Sequence, residues 1–310
     1  MSNTVYIISG PTATGKSLIA FYLARRIGGE IVNCDSIQLY KYMDIGSAKP
    51  SKDEMARVPH HLYSVADPAE NMTVAKYQDM AIKTINEIIS RGKIPIVCGG
   101  TGLYLNSILY DMDFGASPED DSRRDELEKL AEERGNEYMY QYLQALDPDA
   151  ASRIHPNNVR KVIRAIEAYE FGRGIRDLSD VKLNSDYDFK FYALNMDREW
   201  LYDRINQRTI KIINDGLASE VSNLIINGYG SDLPSMKGIG YKEIVSYLYG
   251  KCDLETATAE IQKNTRHYAK RQLTWLKRYD FVNWVYIKKG ESVGEIVDRI
   301  LYYKPENING

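Results

Sequence analysis

The chain has 310 residues, with 40 Lys plus Arg set against 43 Asp plus Glu and a net charge of −3. That near balance excludes a global basic field, so any binding of nucleic acid must come from local clusters. The three cysteines, Cys34, Cys98 and Cys252, have no metal-like spacing and form an odd set, which fits reduced thiols in a cytoplasm rather than a disulfide framework.

No apolar run approaches a membrane span, and the first strand begins within a few residues, which leaves no room for a signal peptide. Residues 4–8 read as a buried parallel strand, and residues 16–27 as an amphipathic helix stopped by Gly28-Gly29. Between them lies Gly10-Pro11-Thr12-Ala13-Thr14-Gly15-Lys16-Ser17, the G-x-x-x-x-G-K-S spacing of a phosphate-binding loop in its strand–loop–helix setting. Gly10 and Gly15 let successive N–H groups turn toward one anion, and the helix adds its unpaired N–H groups and positive dipole end. Lys16 supplies a point charge, and the Ser17 hydroxyl can hold Mg²⁺. The loop announces a polyphosphate without saying which.

Residues 30–33 read as a second strand that delivers Asp35 to its carboxyl end, where open α/β sheets place their chemistry; a turn or helix-cap role is the plainer alternative. Residues 41–72 are broken by Gly46, Pro50, Pro59 and Pro68 and read as a long functional loop region. His60-His61 lack ligand-spaced partners and read as structural. Thr73 is a good N-cap for a helix to about Ser90 with Val74, Tyr77, Ala81, Ile85 and Ile88 on one face. Residues 94–98 form another buried strand, ending in Gly99-Gly100-Thr101-Gly102 with none of the carboxylates that a conventional P-loop kinase often places there.

From about Asp113 the texture turns polar and helical. Runs at 123–134, 137–145 and 158–171 each carry a narrow apolar stripe, the last with Arg160, Lys161 and Arg164 opposite it. Phe189 to Leu194 alternates as a strand, and 198–213 is a helix that places Arg204 and Arg208 one turn apart. Ser235 to Lys242 is a basic, glycine-bearing turn before another helix. Residues 256–279 form a long helix with basic stripes and a third stripe of Tyr268, Gln272, Trp275 and Tyr279, read as an aromatic core face. Residues 284–287 form a last strand, and 293–303 a terminal helix. The pattern predicts an α/β fold, a P-loop NTPase-like parallel sheet flanked by helices. Residues 1–112 and 188–310 make the core domain, and 113–187 a helical insertion.

The phosphate loop, Asp35-Ser36 and Gly100-Thr101 are expected at the ends of neighbouring strands. This arrangement permits three classes of function. In one, a phosphoryl group leaves a nucleoside triphosphate, as in small-molecule kinases. In another, pyrophosphate is the leaving group and its organic substituent moves. The last is a nucleotide-binding switch, which ranks lowest because no base-recognition motif accompanies it. Basic clusters at 160–164, 237–242 and 263–278 suggest an extended anionic acceptor such as RNA.

Six motifs, in order, resemble the signatures of the bacterial tRNA dimethylallyltransferase (tRNA isopentenyltransferase) family. They are the residue 10–17 loop, Asp35-Ser36-Ile37-Gln38-Leu39-Tyr40, Met43 to Pro50, Gly99 to Tyr104, Ile154-His155-Pro156-Asn157 and Tyr268 to Trp275. The resemblance runs from about residue 4 to about residue 287 and lacks the eukaryotic zinc-finger extension. It implies prenyl transfer from dimethylallyl diphosphate, assisted by Mg²⁺, to the N6 amine of the adenosine just 3′ of a tRNA anticodon. The small-molecule kinase becomes the alternative.

By the same resemblance Asp35 is the base, Arg208 stabilises the leaving diphosphate, and Thr101 bonds the acceptor side or the leaving oxygen. The diphosphate site is Gly10, Pro11, Thr12, Ala13, Thr14, Gly15, Lys16 and Ser17, with Ser17 also the Mg²⁺ ligand. Contacts to tRNA are implied at Asp35, Ser36, Ile37, Gln38, Thr101, Arg123, Arg160, Lys161, Val162, Ile163, Arg164, Lys237, Gly238, Ile239, Gly240, Tyr241 and Lys242. The insertion would close over the anticodon stem-loop. No membrane partner is expected, and the chain is expected to act as a cytoplasmic monomer. Two departures from the family pattern stand out: Thr14 where Ser is frequent, and the acidic run Glu119-Asp120-Asp121, which offers Arg123 an ion-pair partner instead of RNA.

Overall fold

Val5, Ile7 and Ile8 are completely buried, as expected of a strand covered on both faces. They belong to β1 (Thr4–Ser9) in a computed structural model that describes residues 3–112, 122–170 and 181–302. The expected acidic run 119–121, Phe171, Gly172, Gly174 and Tyr303 lie outside these residues. The chain divides into two compact units, Met1–Leu109 with Asn184–Gly310, and Tyr110–Leu183.

The first unit opens with β1, α1 (Lys16–Ile27), β2 (Glu30–Cys34), α2 (Lys52–Arg57), β3 (His60–His61), α3 (Val74–Ser90), β4 (Pro95–Gly99) and α4 (Gly102–Leu109). In the second unit, α5 (Ser122–Leu146) is broken at Gly135, whose φ of 81° and ψ of 171° are not helical, so it is two helices in series. α6 (Pro148–Arg153) and α7 (Val159–Glu170) complete that unit's described helices, around a core that includes Leu127, Met139, Leu143, Val162 and Ile166. The chain then returns to the first unit with β5 (Asp188–Asn195), α8 (Arg198–Asn214), α9 (Leu217–Ile226), a 3-10 turn at Ser235–Lys237, α10 (Tyr241–Leu248), α11 (Leu254–Leu276), β6 (Asn283–Tyr286) and α12 (Val293–Leu301). Among the described residues no helix is long and apolar enough to cross a membrane.

Six parallel strands form one sheet in the order β3-β2-β4-β1-β5-β6. β4 therefore lies between β1 and β2, and the three loops that leave their carboxyl ends are immediate neighbours. β2 and β4 are buried along their whole lengths, which is why their sequences lack the polar alternation of a half-exposed strand. One apolar cluster packs Ile19 and Leu23 of α1, Leu201 and Ile205 of α8, and Ile296 and Ile300 of α12 against the sheet. Another joins Tyr40 and Met43 to Leu217 and Val221 of α9, Tyr241 and Ile244 of α10, and Ile261 of α11.

The region 41–72 is more ordered than its sequence suggests. A capping box of Ser51 and Glu54 starts α2, and His60-His61 adds an edge strand beside Ile31 and Val32. Two residues are too few to show a period. His61 Nε2 lies 2.7 Å from Glu30 Oε2, and His60 Nδ1 2.7 Å from the Val58 carbonyl, so both rings serve the fold. α11 starts two residues before the expected Thr256 because Asp253 caps it, accepting from Thr256 N at 2.8 Å.

Candidate functional site

The phosphate loop is built by backbone rather than side chains. Gly10 has a φ of 144°, and a Cβ there would lie 2.6 Å from the Leu194 carbonyl oxygen of β5. Gly15, at φ 92°, caps α1 and leaves that helix's first N–H groups pointing at the loop. Thr14 Oγ1 donates to the Pro11 carbonyl at 2.8 Å, as does Lys16 Nζ at 2.9 Å. Burial draws the Lys16 pKa down to about 8; the nearby Arg208 charge lowers it further, while Asp35 opposes the shift. A diphosphate would supply the countercharge this ammonium lacks.

Two arginines on α8 reach the same loop. Arg204 Nε donates to the Ala13 carbonyl at 2.8 Å, and Arg208 Nη1 donates to Thr12 Oγ1 at 3.0 Å. Burial also lowers the Arg208 pKa, against the pull of Asp35. The turn-apart spacing of these residues thus places both on the cradle. Cys98 lies near the end of β4, a strand that ends without a carboxylate. Its thiol bonds the Ser17 side chain, and burial pushes its pKa up to about 11, so it adds no negative charge.

For Mg²⁺ the protein donor set is small: Ser17 offers one hydroxyl, and among the described residues no group of three His, Cys, Asp or Glu could hold a metal. A Mg²⁺ ion fits here as one that takes its other ligands from diphosphate oxygens and water.

The loop that leaves β2 places Asp35. Asn33, buried in β2, accepts from Asp35 N with Oδ1 at 3.0 Å and donates through Nδ2 to the Asp35 and Leu62 carbonyls, both at 3.0 Å. Asp35 Oδ1 accepts from Ile37 N at 3.0 Å, while Oδ2 accepts from no described residue. From β4's loop, Thr101 N donates to the Cys34 carbonyl at 3.2 Å, and Thr101 Oγ1 accepts from Ser36 N at 3.1 Å. The Tyr268 hydroxyl bonds the Thr101 side chain; burial raises the Tyr268 pKa, and the Asp35 charge adds to the rise, so this phenol stays protonated. Gln38 Nε2 donates to the Ser47 carbonyl at 2.9 Å and the Ala48 carbonyl at 3.3 Å, which leaves Oε1 as an acceptor.

The stripe on α11 read as an aromatic core face is a wall of this site. Gln272 Oε1 accepts from Thr12 N at 2.8 Å, and Gln272 Nε2 donates to the Gly100 carbonyl at 3.0 Å. One buried amide therefore joins the phosphate loop to the Gly100 turn. A Cβ at Gly100 would lie 2.2 Å from Gln272 Nε2, and one at Gly102 would lie 2.5 Å from the Trp275 ring. The sequence signal was present, a polar residue one turn from two aromatics, but its partners lie far away in the chain.

The expected tRNA contacts divide by exposure. Arg160, Lys161 and Arg164 are exposed on α7, and among the described residues no carboxylate pairs with them. Val162 and Ile163, at 0% and 3% exposure, are corrected: the amphipathic period turns their side chains into the core of the second unit. At Arg123 the ion-pair alternative is present, with different carboxylates from the expected ones: its guanidinium pairs with Glu170 at 2.7 Å and Glu126 at 2.8 Å, which holds its pKa above the ordinary value. Lys237 and Lys242 are exposed. Tyr241, by contrast, is fully buried, so its side chain builds the turn instead of contacting RNA. Gly238 packs on Ile37, where a Cβ would lie 3.1 Å from Ile37 Cδ1. Ile239 is partly buried in the same cluster, and Gly240 starts α10 with its N–H donating to Glu243 Oε2 at 2.7 Å.

Residues 38–279 match the family described as IPP transferase. The tRNA dimethylallyltransferase of Alkaliphilus oremlandii (strain OhILAs) is 48% identical over 303 residues, covering 97% of each chain. The tRNA dimethylallyltransferase of Thermoanaerobacter sp. (strain X514) is 44% identical over 314 residues, covering both chains fully. The crystal structure of the full-length tRNA isopentenylpyrophosphate transferase from Bacillus halodurans is similar at 39% identity and a TM-score of 0.71, covering 97% of this chain and 96% of that one. A eukaryotic dimethylallyltransferase, captured in crystallographic snapshots acting on tRNA, is similar at 28% identity and a TM-score of 0.79, covering 92% of this chain and 74% of that one.

Proposed function

The chain belongs to the IPP transferase family, and from that premise we propose that it moves the dimethylallyl group of dimethylallyl diphosphate onto the exocyclic N6 amine of the adenosine 3′-adjacent to the anticodon in tRNA. The observation that carries this reading is the adjacency of a cationic cradle and a lone carboxylate at three neighbouring strand ends. Lys16, Arg204 and Arg208 surround the phosphate loop, and Asp35, from the next loop but one in the sheet, feels the charges of Lys16 and Arg208. The relatives count against a small-molecule kinase, because they are tRNA dimethylallyltransferases, and the buried thiol of Cys98 near the end of β4 offers no carboxylate there.

The N6 lone pair is delocalised into the adenine ring, so the amine needs orientation and a proton acceptor. As N6 bonds the allylic C1, the C1–O bond breaks and its electron pair leaves with diphosphate. The loop amides, Lys16 and Arg208 hold that growing negative charge. Mg²⁺ held between Ser17 and the diphosphate would neutralise part of the same charge. The N6 proton goes to Asp35 Oδ2, because Oδ1 is already occupied by the Ile37 amide and the carboxylate is thereby aimed. Gln38, with both amide donors committed, offers only its oxygen, which suits an N–H donor such as the exocyclic amine. Extruding the base from its stack costs about a few kcal/mol. Phosphate contacts from Lys237, Lys242 and the exposed α7 cations repay that cost, and the protein acts as a monomer in the cytoplasm.

The test is incubation with radiolabelled dimethylallyl diphosphate and an anticodon stem-loop. Label in the RNA, lost when the target adenosine becomes inosine, is the expected result. No label, with ATP-dependent phosphorylation of a small molecule, would overturn the reading.

A further inference from the structure

We propose that Glu220 on α9 is a positioning residue for the acceptor side of the reaction, an inference that rests on the function proposed above. Its carboxylate gathers four donors. Oε2 accepts from Asp44 N at 2.8 Å and Ile45 N at 2.7 Å; Oε1 accepts from Gly46 N at 3.0 Å and the Tyr241 hydroxyl at 2.8 Å. Only an ionised carboxylate satisfies all four, because an amide in its place would turn N–H groups toward N–H groups.

The loop it grips carries the acceptor residues. Gln38 hangs from the carbonyls of Ser47 and Ala48, one and two residues beyond the gripped amides. The loop holds two non-glycine residues in left-handed backbone, Tyr42 at φ 63° and Ala48 at φ 49°. Such geometry persists only where surrounding contacts over-determine it. On its other side Glu220 holds Tyr241, in the turn that presents Lys237 and Lys242. The packing there is close, since a Cβ at Gly46 would lie 2.6 Å from the Tyr241 ring. One side chain thus joins the loop of Gln38 to the basic turn, and none of its partners belongs to the phosphate loop.

Lys49 ties the same loop independently. Its side chain, 4% exposed, donates to Asp44 Oδ1 at 2.7 Å, Ser64 Oγ at 2.8 Å and the Tyr40 carbonyl. Replacing Glu220 should therefore loosen the loop without releasing it.

The experiment compares wild type, Glu220→Gln and Tyr241→Phe by two readouts: anticodon stem-loop affinity by fluorescence anisotropy, and steady-state KM for each substrate. For Glu220→Gln the stem-loop Kd and KM should rise about tenfold or more, the equivalent of one lost charge-assisted hydrogen bond, with the donor KM within about twofold of wild type. Tyr241→Phe should shift the same parameters in the same direction by less. Unchanged stem-loop affinity in Glu220→Gln overturns the inference, as does an equal rise in both KM values, which is what general loosening would give. If Glu220→Gln does not fold, Tyr241→Phe decides by the same criteria. Wild type that binds no stem-loop sinks the proposed function and this inference together, whereas an unaffected variant beside a binding wild type sinks this inference alone.

Discussion

The phosphate loop and the acceptor loop reach their shapes by different means. The first is eight consecutive residues shaped largely by local backbone, with Gly10, Ala13 and Gly15 at positive φ before the start of a helix, and braced by Arg204, Arg208 and Gln272. The second spans residues 35–50 and is shaped from outside, by Glu220 of α9, Lys49 against Ser64, and Tyr241 of α10. An anion can be gripped by local backbone, because N–H groups are present in any sequence. A base must be placed by side chains from several elements, so its site depends on the whole fold.

The largest expected effect breaks the two regions apart. Asp35→Ala should lower the rate of transfer by on the order of 10² to 10⁴, as for loss of a general base, with donor affinity retained in calorimetric titration. If donor affinity falls in proportion, the carboxylate belongs to the cradle and the division fails. Gln272→Glu attacks the bridge from the phosphate loop to the Gly100 turn, which lies between the two regions. The carboxylate can still accept from Thr12 N but repels the Gly100 carbonyl, so stability should drop by about 1–3 kcal/mol in urea unfolding and donor KM should rise. A change in stem-loop KM alone would place this amide on the wrong side.

Arg160→Ala with Arg164→Ala tests how much acceptor affinity comes from charge outside the first unit. The plot of log affinity against log salt should become shallower by roughly 2 if each contacts one phosphate. An unchanged slope would remove α7 from the RNA interface. The smallest effect is a control. Ser292 caps α12 through Glu295 N at 3.3 Å and lies in neither region, so Ser292→Ala should cost about 1 kcal/mol of stability while both KM values hold.

Elements with a long, clean period were the legible ones. α3 runs as expected from its Thr73 cap with Tyr77, Ala81, Ile85 and Ile88 buried, and the break at Gly135 separates two helices where two stripes were read. β3 has two residues and α2 six, too short to imprint a pattern, and α9 went unread between Arg198–Asn214 and the basic turn. For Arg123 the sequence offers an ion pair as well as RNA but points to the adjacent acidic run, because Glu170, its partner on α7, lies 47 residues away. Gln272 reads in the sequence as part of an aromatic core face and Glu220 draws no reading, because the partners that define both lie far away in the chain.

By itself the amino-acid order dictated the glycine-bearing turn of the phosphate loop, the buried strands and the basic face of α7, all of which rest on neighbours within one or two turns or a single loop. Tertiary structure alone decided which strand ends meet, which carboxylates neutralise which arginines, and how the acceptor loop is held. Those outcomes depend on atoms far apart in the chain, 272 positions for Arg26 and Asp298 and 260 for Thr12 and Gln272, and no local propensity encodes a distance of that kind.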